Sequence, residues 1–274
     1  MKTEFSMKII LSRKGFDSSN GGIVSPIMED GTLLSFPIPS EDKDTFDDLL
    51  YCGHSYLKIL NDLKYKGNNN CHVDPDLSMD RRKNTVKGWC PIFGQINSSA
   101  TYLNCNVGVE VGDLFLFFGN YHKVANLDGK YYYIKKSGDF YSDNDLQVIW
   151  GYLQVGKIVT DPEEQIKYTW HPHSAQNRIN ENTNTMFIAS DKLSFNKKMP
   201  GAGVLKFRED RVLTAKNCRK ATWVKRSIYD VNSIVGNRRN SSKVEDTIYY
   251  AGIWQELGLH ETPECEEWAK SLIQ

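Results

Sequence analysis

His72 and Asp74 stand one residue apart, so in an extended segment their side chains project to the same face. Pro75 biases Asp74 toward that extended geometry. A His-x-Asp pair on one face can ligate a metal ion, or act as a base with its orienting partner. Asp76 follows in the same segment, Cys71-His72-Val73-Asp74-Pro75-Asp76. A non-haem iron site needs a further histidine, and His122, His171 and His173 are available. The plainer alternative is an Asp-Pro turn with a satisfied histidine. The spacing assigns no metal ligand set and identifies no cofactor.

Two other short segments carry similar potential. In Trp170-His171-Pro172-His173 the proline stiffens the backbone between two histidines, the side chains best suited to exchange protons near neutral pH. The loop from Arg13 to Gly22 follows a short apolar run. Its glycines, Gly21 and Gly22, expose backbone amides beside Arg13 and Lys14, a combination that reads as a phosphate cradle. Asp17 reads there as a base or nucleophile. A glycine-rich turn with solvated charges is the competing interpretation.

A fourth region is basic. Lys206–Lys243 holds eleven cations, Arg238, Arg239 and Lys243 among them, against Glu209, Asp210 and Asp230, which leaves a local net charge of +8. Lys216, Arg219, Lys220, Lys225 and Arg226 flank Trp223. Cations for phosphates and a flat ring for bases suit single-stranded or flipped-base nucleic acid. A solvated face balancing the acidic runs Glu41–Asp48 and Glu261–Glu267 explains the same residues.

These segments need elements to position them. Met7–Ser12 predicts a buried first strand, and Thr32–Phe36 a second, stopped by Pro37. The spacing of Phe46, Leu49, Leu50, Leu57, Leu60 and Leu63 predicts one or two helices over 45–63, broken near Gly53. Val111–Gly119 and Tyr131–Ile134, joined through Asp128-Gly129, read as a hairpin. Gln147–Val159 is a further strand whose glycines, Gly151 and Gly156, suggest bulges or close backbone approach. Met186–Ala189 and Val204–Phe207 read as short strands. Thr262 caps a closing helix that starts at Pro263. Without a βαβ rhythm the fold class is α+β, a single domain over 1–274 around a mixed or mainly antiparallel sheet with flanking helices. Residues 1–6 read as an extension, and 111–159 as the β core.

Lysine plus arginine and aspartate plus glutamate number 34 each, so zero net charge excludes global electrostatic steering toward DNA and leaves only local patches. Aromatics reach 12%, led by tyrosine and phenylalanine, which favours strands. Six cysteines without a C-x-x-C pair argue against structural zinc, and with no leader-like start they predict reduced thiols in a cytoplasmic protein. No run approaches the ~20 apolar residues of a membrane span.

Seven blocks, in order along nearly the whole chain, carry a family resemblance: SRKGFDSSNGGIVSPI (12–27), HVDPDL (72–77), GDLFLFFG (112–119), IWGYLQVG (149–156), WHPH (170–173), GAGVLKF (201–207) and WQEL (254–257). Together they resemble the third type of nucleotide-modification-associated domain. The resemblance implies a link to hypermodified bases in phage and bacterial DNA, and weight on Arg13, Lys14, Asp17, His72, Asp74, Asp76, His171 and His173. A fainter resemblance, over Val111–Val159 only, is to the barrel core of PUA-like and EVE-like domains, which implies a barrel and a base pocket lined by Trp150 or Tyr152. An ordinary sheet with a Gly-Asp turn fits that pattern as well. The leading expectation is therefore an enzyme acting on a nucleotide or nucleobase, with DNA favoured as partner. The alternatives are a non-catalytic reader of modified bases and a metal-dependent oxygenase built on His72 and Asp74.

Overall fold

The computed structural model describes residues 7–230, 232–236, 241–242 and 246–274. The proposed extension 1–6 and the basic residues Arg238, Arg239 and Lys243 lie outside the described residues. In chain order the strands are β1 (Ile9–Arg13), β2 (Ser25–Ile27), β3 (Ile38–Pro39), β4 (Leu50–Tyr51), β5 (His54–Ser55), β6 (Cys71–His72), β7 (Ile92–Gln95), β8 (Leu114–Leu127), β9 (Lys130–Tyr133), β10 (Leu146–Val159), β11 (Thr185–Ala189), β12 (Ala202–Val204), β13 (Thr222–Val224), β14 (Ser241–Ser242), β15 (Thr247–Tyr249) and β16 (Glu256–Gly258).

One sheet dominates. Its order is β16-β1-β8-β10-β11-β7, with β12 paired to β10 and both β2 and β9 paired to β8. β1 and β2 run parallel to β8, and the other pairings in this sheet are antiparallel. The fold is thus mixed α/β with a mostly antiparallel sheet. Among the described residues the strand path stays open, from β16 to β7, so the expected barrel is not formed.

Side-chain alternation explains why β8 is buried on both faces. Leu114, Leu116 and Phe118 join one core with Leu11, Ile149, Trp223, Tyr250 and the apolar side of helix Pro263–Ile273. Phe115 and Phe117 join the other with Ile10, Phe93, Trp150 and Leu153. β10 shifts register between Ile149 and Gly151 and again between Val155 and Lys157. Glycine is required at Gly156, where a Cβ would lie 2.6 Å from Ser190 Cα, while a Cβ on Gly151 would lie 2.7 Å from Leu77 Cδ1 and push that side chain aside.

Thr262 Oγ1 accepts from Cys265 N–H and caps the last helix as its sequence implied. The 45–63 segment departs from expectation. Only Tyr56–Asp62 is helical, because Ser55 caps it and the residues before it form the β4–β5 hairpin. Thr32–Phe36 makes isolated bridges at Thr32 and Leu33 and no strand, while Ser25–Ile27 takes the place beside β8. The six cysteines are unpaired. Among the described residues no helix is long and apolar enough to cross a membrane.

Candidate active site

An open cleft of about 340 Å³ lies where the end of β1, strands β3, β6 and β7, and the segment after β10 meet; its lining includes Arg13, Lys14, Asp17, His72, Asp74, His173 and Arg178. The sequence candidates from three distant segments therefore converge here.

His72 is delivered by β6, which pairs with β3. Its Nδ1 faces Asp42 Oδ2 at 2.7 Å. A carboxylate only accepts, so Nδ1 carries a proton and Nε2 points away toward Asp74 Oδ2, 4.0 Å distant. Burial opposes the charge on Asp42, but the His72 hydrogen bond overcomes this and holds its carboxyl below the usual range.

His173 is fixed by a relay of amides. Gln165 Nε2 donates to Val159 O and Asn184 O, so its Oε1 accepts from Asn184 Nδ2. Asn184 Nδ2 also donates to His173 O, which turns Asn184 Oδ1 toward His173 Nδ1 at 2.7 Å. Nδ1 must then hold the proton, and Nε2 keeps its lone pair. Burial pulls His173 down to about 3 against the charge of Asp74, so the ring is neutral near pH 7.

His171 has the opposite tautomer. Its Nδ1 accepts the backbone N–H of His173, leaving the proton on Nε2. That atom lies 3.3 Å from Asp74 Oδ1, off the line of a well-formed hydrogen bond. Asp74 Oδ1 also accepts from Gly94 N–H at 2.6 Å. Burial opposes the charge on Asp74, but the His171 Nε2–H beside it outweighs this, and the carboxyl stays well below its ordinary range. A Cβ on Gly94 would sit 2.3 Å from the His173 ring, so this position admits only glycine without displacing the histidine. One donor atom each from His72, Asp74 and His173 lie within 4.8 Å of one another, a set able to hold a metal ion.

The cationic wall is already partnered. Arg13 lies 3.5 Å from Asp17, Lys14 3.1 Å from Glu256, and Arg178 3.6 Å from Asp42. Glu256 is fully buried and also accepts from Gln95 Nε2 at 2.6 Å. The Lys14 ammonium sits 4.5 Å from the centre of the Phe93 ring.

Other candidate residues sit in different surroundings. Asp17 Oδ1 accepts from Ser19 N–H, Asn20 N–H and Asn20 Nδ2, and Gly22 N–H bonds Asp17 O. The amides meant to cradle a phosphate thus fold the loop on itself, and neither Gly21 nor Gly22 lines the cleft. Asp76 is a structural ion-pair partner of Arg82 that also accepts from Trp89 Nε1. His122 is spent on Asp145 and Ile134 O. Trp150 and Tyr152 are each 2% exposed and do not line the cleft. Trp150 borders a cavity of only about 30 Å³ behind Asp74. Trp223 is buried with its Nε1 on Gln147, so its ring cannot stack on a base. Lys216, Arg219 and Lys225 are exposed, Arg226 is half-buried, and Lys220 pairs with Asp145.

Residues that sequence reasoning missed include Asp42, Asn184, Gln165, Gly94 and Arg178. Asp42 sat inside an acidic run read as solvated, and lone amides and a lone glycine carry no local signal.

The family model described as nucleotide modification associated domain 3 matches residues 8–256. No curated protein and no solved structure matches the chain.

Proposed function

The chain belongs to the nucleotide modification associated domain 3 family, and from that premise we propose that it is an enzyme acting on a nucleotide or nucleobase, with DNA the favoured carrier. One observation carries the reading: Arg13, Lys14 and Arg178 line the same cleft as His72, Asp74 and His173. In this reading the cations receive the substrate's phosphate and the buried cluster faces the reacting base. A volume of about 340 Å³ falls in the range of small-molecule sites, roughly 300–1,000 Å³. Asp17 serves as organiser of the loop that presents Arg13. A reader of modified bases at Trp150 and Tyr152 has less support, since the cavity beside Trp150 has room for a water or two.

Calorimetry with deoxynucleoside monophosphates and a single-stranded oligonucleotide tests the reading. The expected result is binding that weakens about tenfold or more in Arg178→Ala, the worth of a charge-assisted hydrogen bond. Absence of binding by both ligands overturns it. Mass analysis of nucleosides from cells expressing the chain separates modification from recognition: a new nucleoside is expected with the native chain and none with His173→Ala.

A further inference from the structure

We infer that His72, Asp74 and His173 hold one divalent transition-metal ion at the floor of the cleft. As the reaction centre of the enzyme proposed above, this ion rests on that reading; as a binding site it stands on hydrogen-bond geometry alone.

At the floor of the cleft, acceptors face acceptors. The Gln165–Asn184 relay puts the proton of His173 on Nδ1, and Asp42 does the same for His72. His72 Nε2 therefore turns a lone pair toward the Asp74 carboxylate and His173 keeps its own on Nε2, with one donor atom from each of the three residues within 4.8 Å of the others. His72 Nε2 stands 4.0 Å from Asp74 Oδ2, too far for a hydrogen bond. It is close enough for one ion to bridge, since metal–nitrogen and metal–oxygen bonds are each about 2.0–2.2 Å. His171, whose proton sits on Nε2, is excluded as a ligand and acts on Asp74 as a positioning residue.

Charge balance points the same way. Among the described residues, the carboxylate of Asp74 has ion-pair contacts only to histidines, and its side chain is 4% exposed. A buried carboxylate without a cation is costly. Asp17, Asp42, Asp74 and Glu256 outnumber Arg13, Lys14 and Arg178 by one on or beside the cleft. A divalent ion turns that deficit into a surplus of one positive charge, which suits an anionic substrate. Two imidazoles and one carboxylate suit zinc or iron, whereas calcium and magnesium prefer oxygen donors. The carboxylate–histidine pair behind His72 and the amide behind His173 are the outer hydrogen bonds that metal-binding histidines characteristically make.

The test uses metal-stripped full-length protein titrated with Co²⁺, followed by visible absorption, and with Zn²⁺ by calorimetry. One ion per chain is expected, indifferent to excess Mg²⁺. His72→Ala and His173→Ala should each abolish the Co²⁺ spectrum. Asp42→Asn, which touches no metal, should weaken affinity about 10- to 100-fold, and near-ultraviolet circular dichroism should report each variant folded. Lys225→Ala, on the exposed surface away from the cleft, should bind the ion as the native chain does. Absence of stoichiometric binding by the folded native chain overturns the site, as does binding retained in both histidine variants. A full Co²⁺ spectrum without nucleotide binding removes the functional reading and leaves the metal site. Nucleotide binding with no bound ion does the reverse.

Discussion

Two regions rich in ionisable residues are built in opposite ways. In the cleft, the histidines, Asp74 and Lys14 are held by partners from other segments: His72 by Asp42, His173 by Asn184, Asp74 by Gly94 and His171, Lys14 by Glu256. In the stretch from Lys206 onward, the cations disperse. Arg208 and Arg211 clamp carbonyls near the last helix, Lys206 meets Asp30, and Lys216, Arg219 and Lys225 face solvent. Charge density along a sequence is therefore a weak guide to a site. Convergence of buried, mutually oriented groups is the stronger one.

The sharpest way to break this comparison is to remove one member of each region. His173→Ala should cost about 10²–10⁴-fold in nucleoside modification, the usual contribution of a group at the reacting centre. Lys225→Ala should leave the rate within about twofold, as surface substitutions usually do. Comparable losses from both would erase the distinction.

Trp223 sharpens it next. Because its ring is buried against Phe118, Tyr229 and Tyr250, Trp223→Ala should lower stability by about 3–5 kcal/mol. Chemical denaturation checks this, and a loss below about 1 kcal/mol would return the ring to the surface. Gly94→Ala should cost about 1–3 kcal/mol by overpacking, while reducing activity by displacing the His173 ring. A variant with native activity would show that the ring need not stay where it is.

Two smaller effects concern the dispersed region. The salt dependence of oligonucleotide binding should change by less than about 0.7 in log–log slope for Lys216→Ala or Lys225→Ala, less than one phosphate contact. A change above that would make the stretch a nucleic-acid face after all. The smallest effect is on pH. Burial pulls His122 down, but Asp145 and Ile134 O raise it above its ordinary 6.5. The charged pair therefore stabilises fully below pH 6.5 and is lost as pH rises through the folded value. The melting temperature of the native chain should fall, relative to Asp145→Asn, from about pH 6 to about pH 8. Parallel curves would show that the pair contributes nothing.

Much of the sheet was legible because period and punctuation are local. The unbroken apolar run Leu114–Phe118 located β8, and Asp128-Gly129 located its turn to β9. Gly151 and Gly156 marked both register shifts. The Thr262-Pro263 cap was equally plain. The 45–63 helix failed because its first apolar residues, Phe46 and Leu49, pack into the same core from a turn and an isolated bridge to Arg82, and burial does not require helical spacing. At the site, His72, Asp74 and His173 announced themselves by type. The tautomers that give them opposite roles from His171 depend on Asp42, Gln165 and Asn184, whose meaning exists only in three dimensions. Trp223 misled for the same reason, since a ring flanked by cations looks identical in sequence whether it faces out or in.

The placement of β1 has a consequence in time. It pairs with β8 through Phe118 on one side and with β16 through Gly258 on the other. During synthesis the apolar residues Ile9–Leu11 gain their first neighbour only when β8 emerges, and their second only after the 140 further positions from Phe118 to Gly258. At about 5–20 residues per second that interval is roughly 7–28 s. Glu256, the partner of Lys14, arrives at its end. The nascent chain thus exposes a hydrophobic strand edge throughout that interval, and the cleft becomes complete only at its close.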